Sequence, residues 1–307
     1  MSEDVADDAL LLLVVRADES LFAAGEDIRQ RQFNVPRVVM QQLGYVGYGL
    51  FGAYTPPILV RIRAQFARLY NAHDLAVGGH IGVFMFRDVF ARVGIPQIYG
   101  RTAIAPMEHV ELTDIQKRIL ANEPDIFNAY HDQFADLFDL EYGIRELRAP
   151  YAQMELVERL LNLSRLHLHA AAAILTGGYD FRGAVQSGLL ATELALKALA
   201  AATGLEEDDI RDKYGHHIDR LINYLEPKWP AFDAARARRV TEAQPRYVRN
   251  RYAKDQPKRV EVGHTVMGAQ YLAGEVTRQL SDRDFRKGAG QPSPRKYLSS
   301  PMDLDGT

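Results

Sequence analysis

Apolar side chains in the second half of the chain recur every three or four residues. Between residues 151 and 175 they fall at Leu156, Leu160, Leu163, Leu166, Leu168 and Ile174, which predicts a long amphipathic helix. Gly177 and Gly178 end it, and Asp180 can cap the next helix. There Val185, Leu189, Leu190, Leu194, Leu196 and Leu199 form a broad apolar face that stops at Thr203 and Gly204. Glu206, Glu207, Asp208 and Asp209 give a further helix an acidic start, which suits the helix dipole. A short piece over residues 216–225 buries Ile218, Leu221, Ile222 and Leu225. A last helix over about 263–280 presents Val266, Met267, Ala269, Leu272 and Val276.

The first half is less regular. Residues 1–30 read as an acidic lead-in with one helix, and 31–148 as a mostly helical domain of unassigned role. Within it, residues 57–70 place Ile58, Leu59, Ile62, Phe66 and Leu69 on one helical face. Residues 81–93 are expected to form another helix, stopped by Gly94 and Pro96. Residues 97–110 read as irregular or as a short strand. Thr113 caps a helix whose first turn carries Asp114. After Asp282 the chain turns to Gly, Pro, Ser, Lys and Arg with few apolar anchors, so 283–307 is expected to be a disordered tail.

A length of 307 residues with 47% apolar content can fill one large or two medium cores. The absence of cysteine removes disulfides, thiolate catalysis and cysteine-held zinc, and suits a reducing cytosol, so a cytoplasmic location is expected. Glu3, Asp4, Asp7 and Asp8 stand where a signal peptide would carry cations. Residues 38–60 contain no charge over a membrane-spanning length, yet hold Gln41, Gln42, four glycines and Pro56-Pro57. A buried glycine-rich helix and turn is the expected reading, with no membrane partner.

The net charge of −3 hides an asymmetry. Between Lys228 and Arg259 ten cations face only Asp233, Glu242 and Asp255, with Trp229, Phe232, Tyr247 and Tyr252 interleaved. Cations neutralise phosphates and aromatic faces stack bases, so this window fits single-stranded RNA or a nucleotide. It equally fits a solvated arginine-rich helix whose cations pair with acids of the same chain.

Three short patterns in order, Glu193 with Lys197, then His216 and His217, then Tyr247, Arg251 and Tyr252, resemble a HEPN domain over roughly residues 150–282. The resemblance implies a mostly α protein, with the N-terminal helical region packed on a four- or five-helix HEPN-like bundle. It also implies RNA or nucleotide as partner and a homodimer. Catalytic members are metal-independent endoribonucleases of stress or defence systems and carry Arg-x(4–6)-His. Arginine there stabilises phosphate charge and histidine is acid–base on the 2′-hydroxyl.

Here that spacing occurs at Arg68 and His73, at Arg211 with His216 or His217, and at Arg259 and His264, often enough to arise by chance. The resemblance puts the catalytic pair just before the last helix, hence Arg259 and His264, with Glu193 orienting. Val260 follows the arginine where a polar residue is usual. Arg246, Tyr247, Arg249, Arg251 and Tyr252, with His216 and His217, are the expected nucleic-acid contacts. No cofactor and no metal are expected.

Other patterns are weaker. Gly47, Gly49 and Gly52 match GxGxxG without a preceding strand. His73, Asp74 and His80 surround a turn. His167 and His169 are two apart on a helix and cannot share a face. The competing function is a helical interaction module that dimerises and recruits a protein partner without chemistry, residues 31–148 offering a partner surface.

Overall fold

A computed structural model describes residues 5–45, 55–71, 74–75, 79–98, 103–178, 180–245, 254, 256–290 and 295. The fold is mostly α, with a single two-stranded sheet among these residues. The chain divides into two compact units, Met1–Gly78 and Gly79–Thr307. The division therefore falls after Gly78 and not near residue 148.

The first unit is three helices: α1 (Asp7–Ala23), α2 (Ile28–Gln42) and α3 (Pro57–Ala67). Its core is Leu10, Val14 and Ala17 against Val35, Val39 and Met40 and against Ile58, Leu59, Ile62 and Phe66. Residues 1–30 are thus no separate lead-in, since α1 supplies one wall of this core. Asp27 opens α2 with a reciprocal capping box to Gln30. Buried Asp18 accepts from Arg31 Nε at 2.9 Å and from the Tyr70 hydroxyl, which satisfies a carboxylate that the fold takes largely out of water.

In the second unit the segment expected to be a helix is a hairpin. Strands β1 (Ile81–Phe86) and β2 (Val89–Gly94) pair antiparallel from Ile81–Gly94 to Phe86–Val89. Arg87 turns at φ 60°. From Gly82 to Phe86 every residue of β1 is buried, so the strand shows no alternation. A short continuous apolar run cannot be told from a buried helix by period alone. Val110 adds an isolated bridge to Val93.

The remaining elements are α4 (Asp114–Asn122), α5 (Pro124–Gly143), α6 (Glu155–Gly177), α7 (Phe181–Ala201), α8 (Glu207–Tyr214), α9 (Ile218–Leu225), α10 (Ala234–Ala243), α11 (Arg259–Leu280) and α12 (Phe285–Gly288). Caps read in the sequence recur here: Thr113 with Gln116 on α4, Gly178 at φ 77° ending α6, and Asp180 on α7. Helices α6 and α7 run antiparallel, with Ser164 Oγ donating to the Ala191 carbonyl at 2.8 Å. Helix α11 lies between α5, α6, α7 and β1. From Val262 to Thr277 every residue of α11 is buried except His264.

Two polar devices hold α11 in place. The Gln270 side chain accepts from Val83 N at 2.8 Å and donates to Val83 O at 2.9 Å and to Gln133 Oε1 at 2.7 Å. One amide thereby completes the free edge of β1, as a third strand would. At Gly274 an added Cβ would lie 2.7 Å from the Asp136 carbonyl oxygen, so only glycine lets α11 meet the α5 backbone.

The segment after α11 is ordered as far as it is described. The Phe285 ring packs 4.7 Å from Phe138 and 5.6 Å from Phe134, and its N–H donates to Asp139 at 2.7 Å. A single aromatic supplies the anchor that composition did not suggest, so residues 283–290 do not belong to a disordered tail.

Candidate functional site

The surface between α7, α8 and α9 gathers three residues that the sequence singled out separately. Glu193 lies on the bundle face of α7, with only 9% of its surface exposed. Its Oε1 accepts from Lys197 Nζ one turn on at 2.6 Å, and its Oε2 lies 2.9 Å from His216 Nδ1. The sequence delivers His216 by ending α8 at Tyr214 and turning on Gly215, which adopts φ 51°. His217 N then donates to Tyr214 O at 2.8 Å, and His217 becomes the N-cap position of α9. The His216 side chain stays 80% exposed.

A buried carboxylate on Nδ1 fixes the orientation of an imidazole whose side chain otherwise faces solvent. Beside it, the Tyr214 and Tyr224 rings are 5.3 Å apart and Lys228 Nζ stands 4.9 Å over Tyr224.

Gln244 ties a third helix to this region. From the end of α10 its Nε2 donates to Thr192 Oγ1 at 2.9 Å and reaches Thr265 O at 3.5 Å. The basic segment that follows Gln244 thus departs from a point braced beside Glu193 on α7 and beside His264 on α11. Arg246, Tyr247, Arg249, Arg251 and Tyr252 themselves lie outside the described residues.

Several cations of the same window are paired within the chain. Arg236 binds Asp233, and Arg238 binds Glu226 and Asn223.

Arg259 and His264 are placed differently from the sequence reading. Both belong to α11, which begins at Arg259, so neither lies in a segment before that helix. Five residues along an α-helix turn about 140° beyond a full revolution, so the two side chains leave different sides of the axis. Arg259 Nε donates to the Asp88 carbonyl at 2.9 Å, and its guanidinium stands 4.7 Å over Phe90 and 5.2 Å over Phe181. It fastens the hairpin turn to the start of α7. Burial pushes His264 down to about 4. Arg211 is exposed and pairs with Asp208 and Asp212 on its own helix.

The His264 shift has a measurable sign. The unfolded chain protonates this imidazole near pH 6.5 and the folded chain only near 4, so between these values the unfolded state holds more protons. Acidification then favours unfolding, with a slope for this one group approaching about 1.4 kcal/mol per pH unit. Urea melts of wild type and His264→Gln between pH 7 and 4 will converge by that slope as pH falls. Parallel curves would refute it.

Two further histidines come from separate sequence clusters. His80 is wholly buried, pushed down to about 3 by burial and then by His169 and Arg165. Its ring stands edge-on to His169 at 5.8 Å. His73 lies outside the described residues, as do Gly47, Gly49 and Gly52. Among the described residues no group of three or more histidine, aspartate or glutamate side chains could hold a metal ion, and no helix is long and apolar enough to cross a membrane.

One charged assembly was not read from the sequence. Asp132, Asp136 and Asp139 of α5 and Glu275 of α11 are buried together with Arg278. Burial raises Asp136 and Asp139, the latter to about 6, against the opposing pull of arginine. Burial also works to lower Arg278, but the carboxylates outweigh it and hold the guanidinium well above its ordinary value. The sequence signal was the spacing of the three aspartates, i, i+4 and i+7, which puts them on one stripe of a helix otherwise rich in Phe and Leu. Comparison of the chain with protein-family models, with curated proteins and with solved structures finds no match.

Proposed function

We propose that the second unit is a HEPN-like bundle that binds RNA or a nucleotide, with Glu193 and His216 as its working pair. The observation that carries this reading is the buried Glu193 carboxylate bound at once by Lys197 and by an exposed histidine. Hydrolysis or transfer at a ribose needs a base for the 2′-hydroxyl and an acid for the leaving oxygen, and an imidazole held by a carboxylate can serve as either. A purely structural histidine has no need of such exposure. The composition between Lys228 and Arg259, rich in cations and aromatic rings, supports phosphate and base contact. The order of two long antiparallel helices, short helices and a final long helix also fits the resemblance. Arg259 is committed to Asp88 and two aromatic faces, which favours His216 over the Arg259 and His264 pair as the reactive group.

The test is incubation of the full chain with total cellular RNA in EDTA, alongside His216→Ala, Glu193→Gln and His264→Ala. Wild type should retain RNA, and retention should fall at least about tenfold between 50 and 200 mM salt. If cleavage is seen, His216→Ala should lower it about 10²–10⁴-fold while leaving retention largely intact. Loss in His264→Ala alone would move the chemistry to α11. Neither retention nor cleavage by wild type would leave the interaction module as the better reading.

A further inference from the structure

The buried carboxylates of α5 and α11 outnumber the cations that the bundle itself supplies. Among the described residues of α5 to α11, Arg278 is the cation that pairs with Asp136, Asp139 and Glu275. The other two cations come from the segment that follows α11. Arg286 Nε lies 2.9 Å from Asp132 Oδ1. Arg295 grips Asp136 with both prongs, Nη1 to Oδ2 at 2.9 Å and Nη2 to Oδ1 at 2.6 Å, although Arg278 already serves that carboxylate. Among the described residues four carboxylates thus meet three guanidinium groups, carried one on α11, one on α12 and one, Arg295, beyond it.

The geometry around Asp136 is specific for a planar cation. Its carboxylate is wholly buried and presents both oxygens to one fork. The guanidinium of Arg295 stands 5.4 Å from the centroid of the Tyr271 ring, a cation–π contact. A bidentate carboxylate and an aromatic face together suit arginine and not lysine, whose ammonium is a compact, strongly hydrated point charge. Tyr271 is 1% exposed, and its hydroxyl has no hydrogen-bond partner among the described residues. That hydroxyl lies in the field of Glu275, Arg278, Asp233 and Arg295, at the centre of the same assembly. Glu275 and Arg278 also line an open cavity of about 550 Å³ with Asp284 and Trp229, so the network is not sealed on that side.

We propose that Asp136 and the face of Tyr271 form a guanidinium-binding slot, filled here by the chain's own Arg295 and able to take an arginine side chain of a partner protein when that residue withdraws. It is independent of the RNA reading, which concerns α7 and the turn between α8 and α9.

The test uses the full chain bearing Arg295→Ala or Arg295→Lys, melted thermally with and without low-millimolar methylguanidinium or methylammonium. Arg295→Ala should lower the Tm by roughly 4–10 °C. Methylguanidinium should restore most of that loss saturably, methylammonium should not, and wild type should respond to neither. Arg295→Lys should stay destabilised and be rescued in the same way. An arginine-bearing tripeptide amide should then compete with methylguanidinium for the Arg295→Ala protein. An unchanged Tm in Arg295→Ala, absence of rescue, or full stability in Arg295→Lys would overturn the proposal. If Arg295→Ala does not fold, the lysine variant and its rescue decide alone.

Discussion

Arg278→Met lowers the stability of the second unit by about 3–5 kcal/mol in urea melts, although methionine fits the length of the side chain. Its guanidinium donates to Asp136 and Asp139 through Nη1 and to Glu275 through Nε and Nη2, and all three acceptors are buried. Removing the shared cation leaves Asp139 and Glu275 without a cationic partner among the described residues, and Asp136 with Arg295 alone. Replacing a partner acid as well is different in kind. A double variant that adds Asp139→Asn to Arg278→Met should recover part of the loss, because one stranded buried charge is gone. If the single variant melts within about 1 kcal/mol of wild type, the network is not charged as described.

Gln270→Leu is the second large effect, expected at about 2–4 kcal/mol. Leucine keeps the volume and removes three hydrogen bonds, stranding the N–H and C=O of Val83 and the side chain of Gln133 in the core. Hydrogen exchange adds a residue-specific reading: the Val83 amide should exchange faster in Gln270→Leu, while amides of α6 facing α7 keep their protection relative to global stability. A loss below about 0.5 kcal/mol would mean that β1 does not need this partner. Gln270→Glu is a sharper control, because a carboxylate still accepts from Val83 N but cannot donate to Val83 O.

Helices α6, α7, α8 and α9 were legible because each carries its own period and its own punctuation. Gly178, Asp180 and the acidic start of α8 act within a few residues of where they stand. The hairpin was not legible, because β1 is covered on both faces and its burial erases the alternation that marks a strand. The start of α11 was placed late: the sequence reading begins this helix near residue 263, yet Arg259 begins it and packs on two aromatic rings.

Of the candidate site, Glu193, Lys197 and His216 could each be named in advance. That one carboxylate joins the other two is a matter of how α8 turns onto α7, which no local signal encodes. The aspartate stripe on α5 was visible as a spacing. Its partners lie more than 130 residues further on, so its neutralisation could not be seen.

The central position of α11 also sets the order in which this chain can fold during synthesis. Met1–Gly78 has a core of its own. The second unit closes through pairs such as Val83 with Gln270, 187 residues apart, so α5, α6, α7 and the hairpin emerge from the ribosome long before the helix that covers them. At roughly 5–20 residues per second, the β1 edge stays open for about 10–40 s while those residues are added. Over that interval the β1 edge is unpaired and the faces of three helices join it as they emerge, an exposure that favours aggregation until α11 is made.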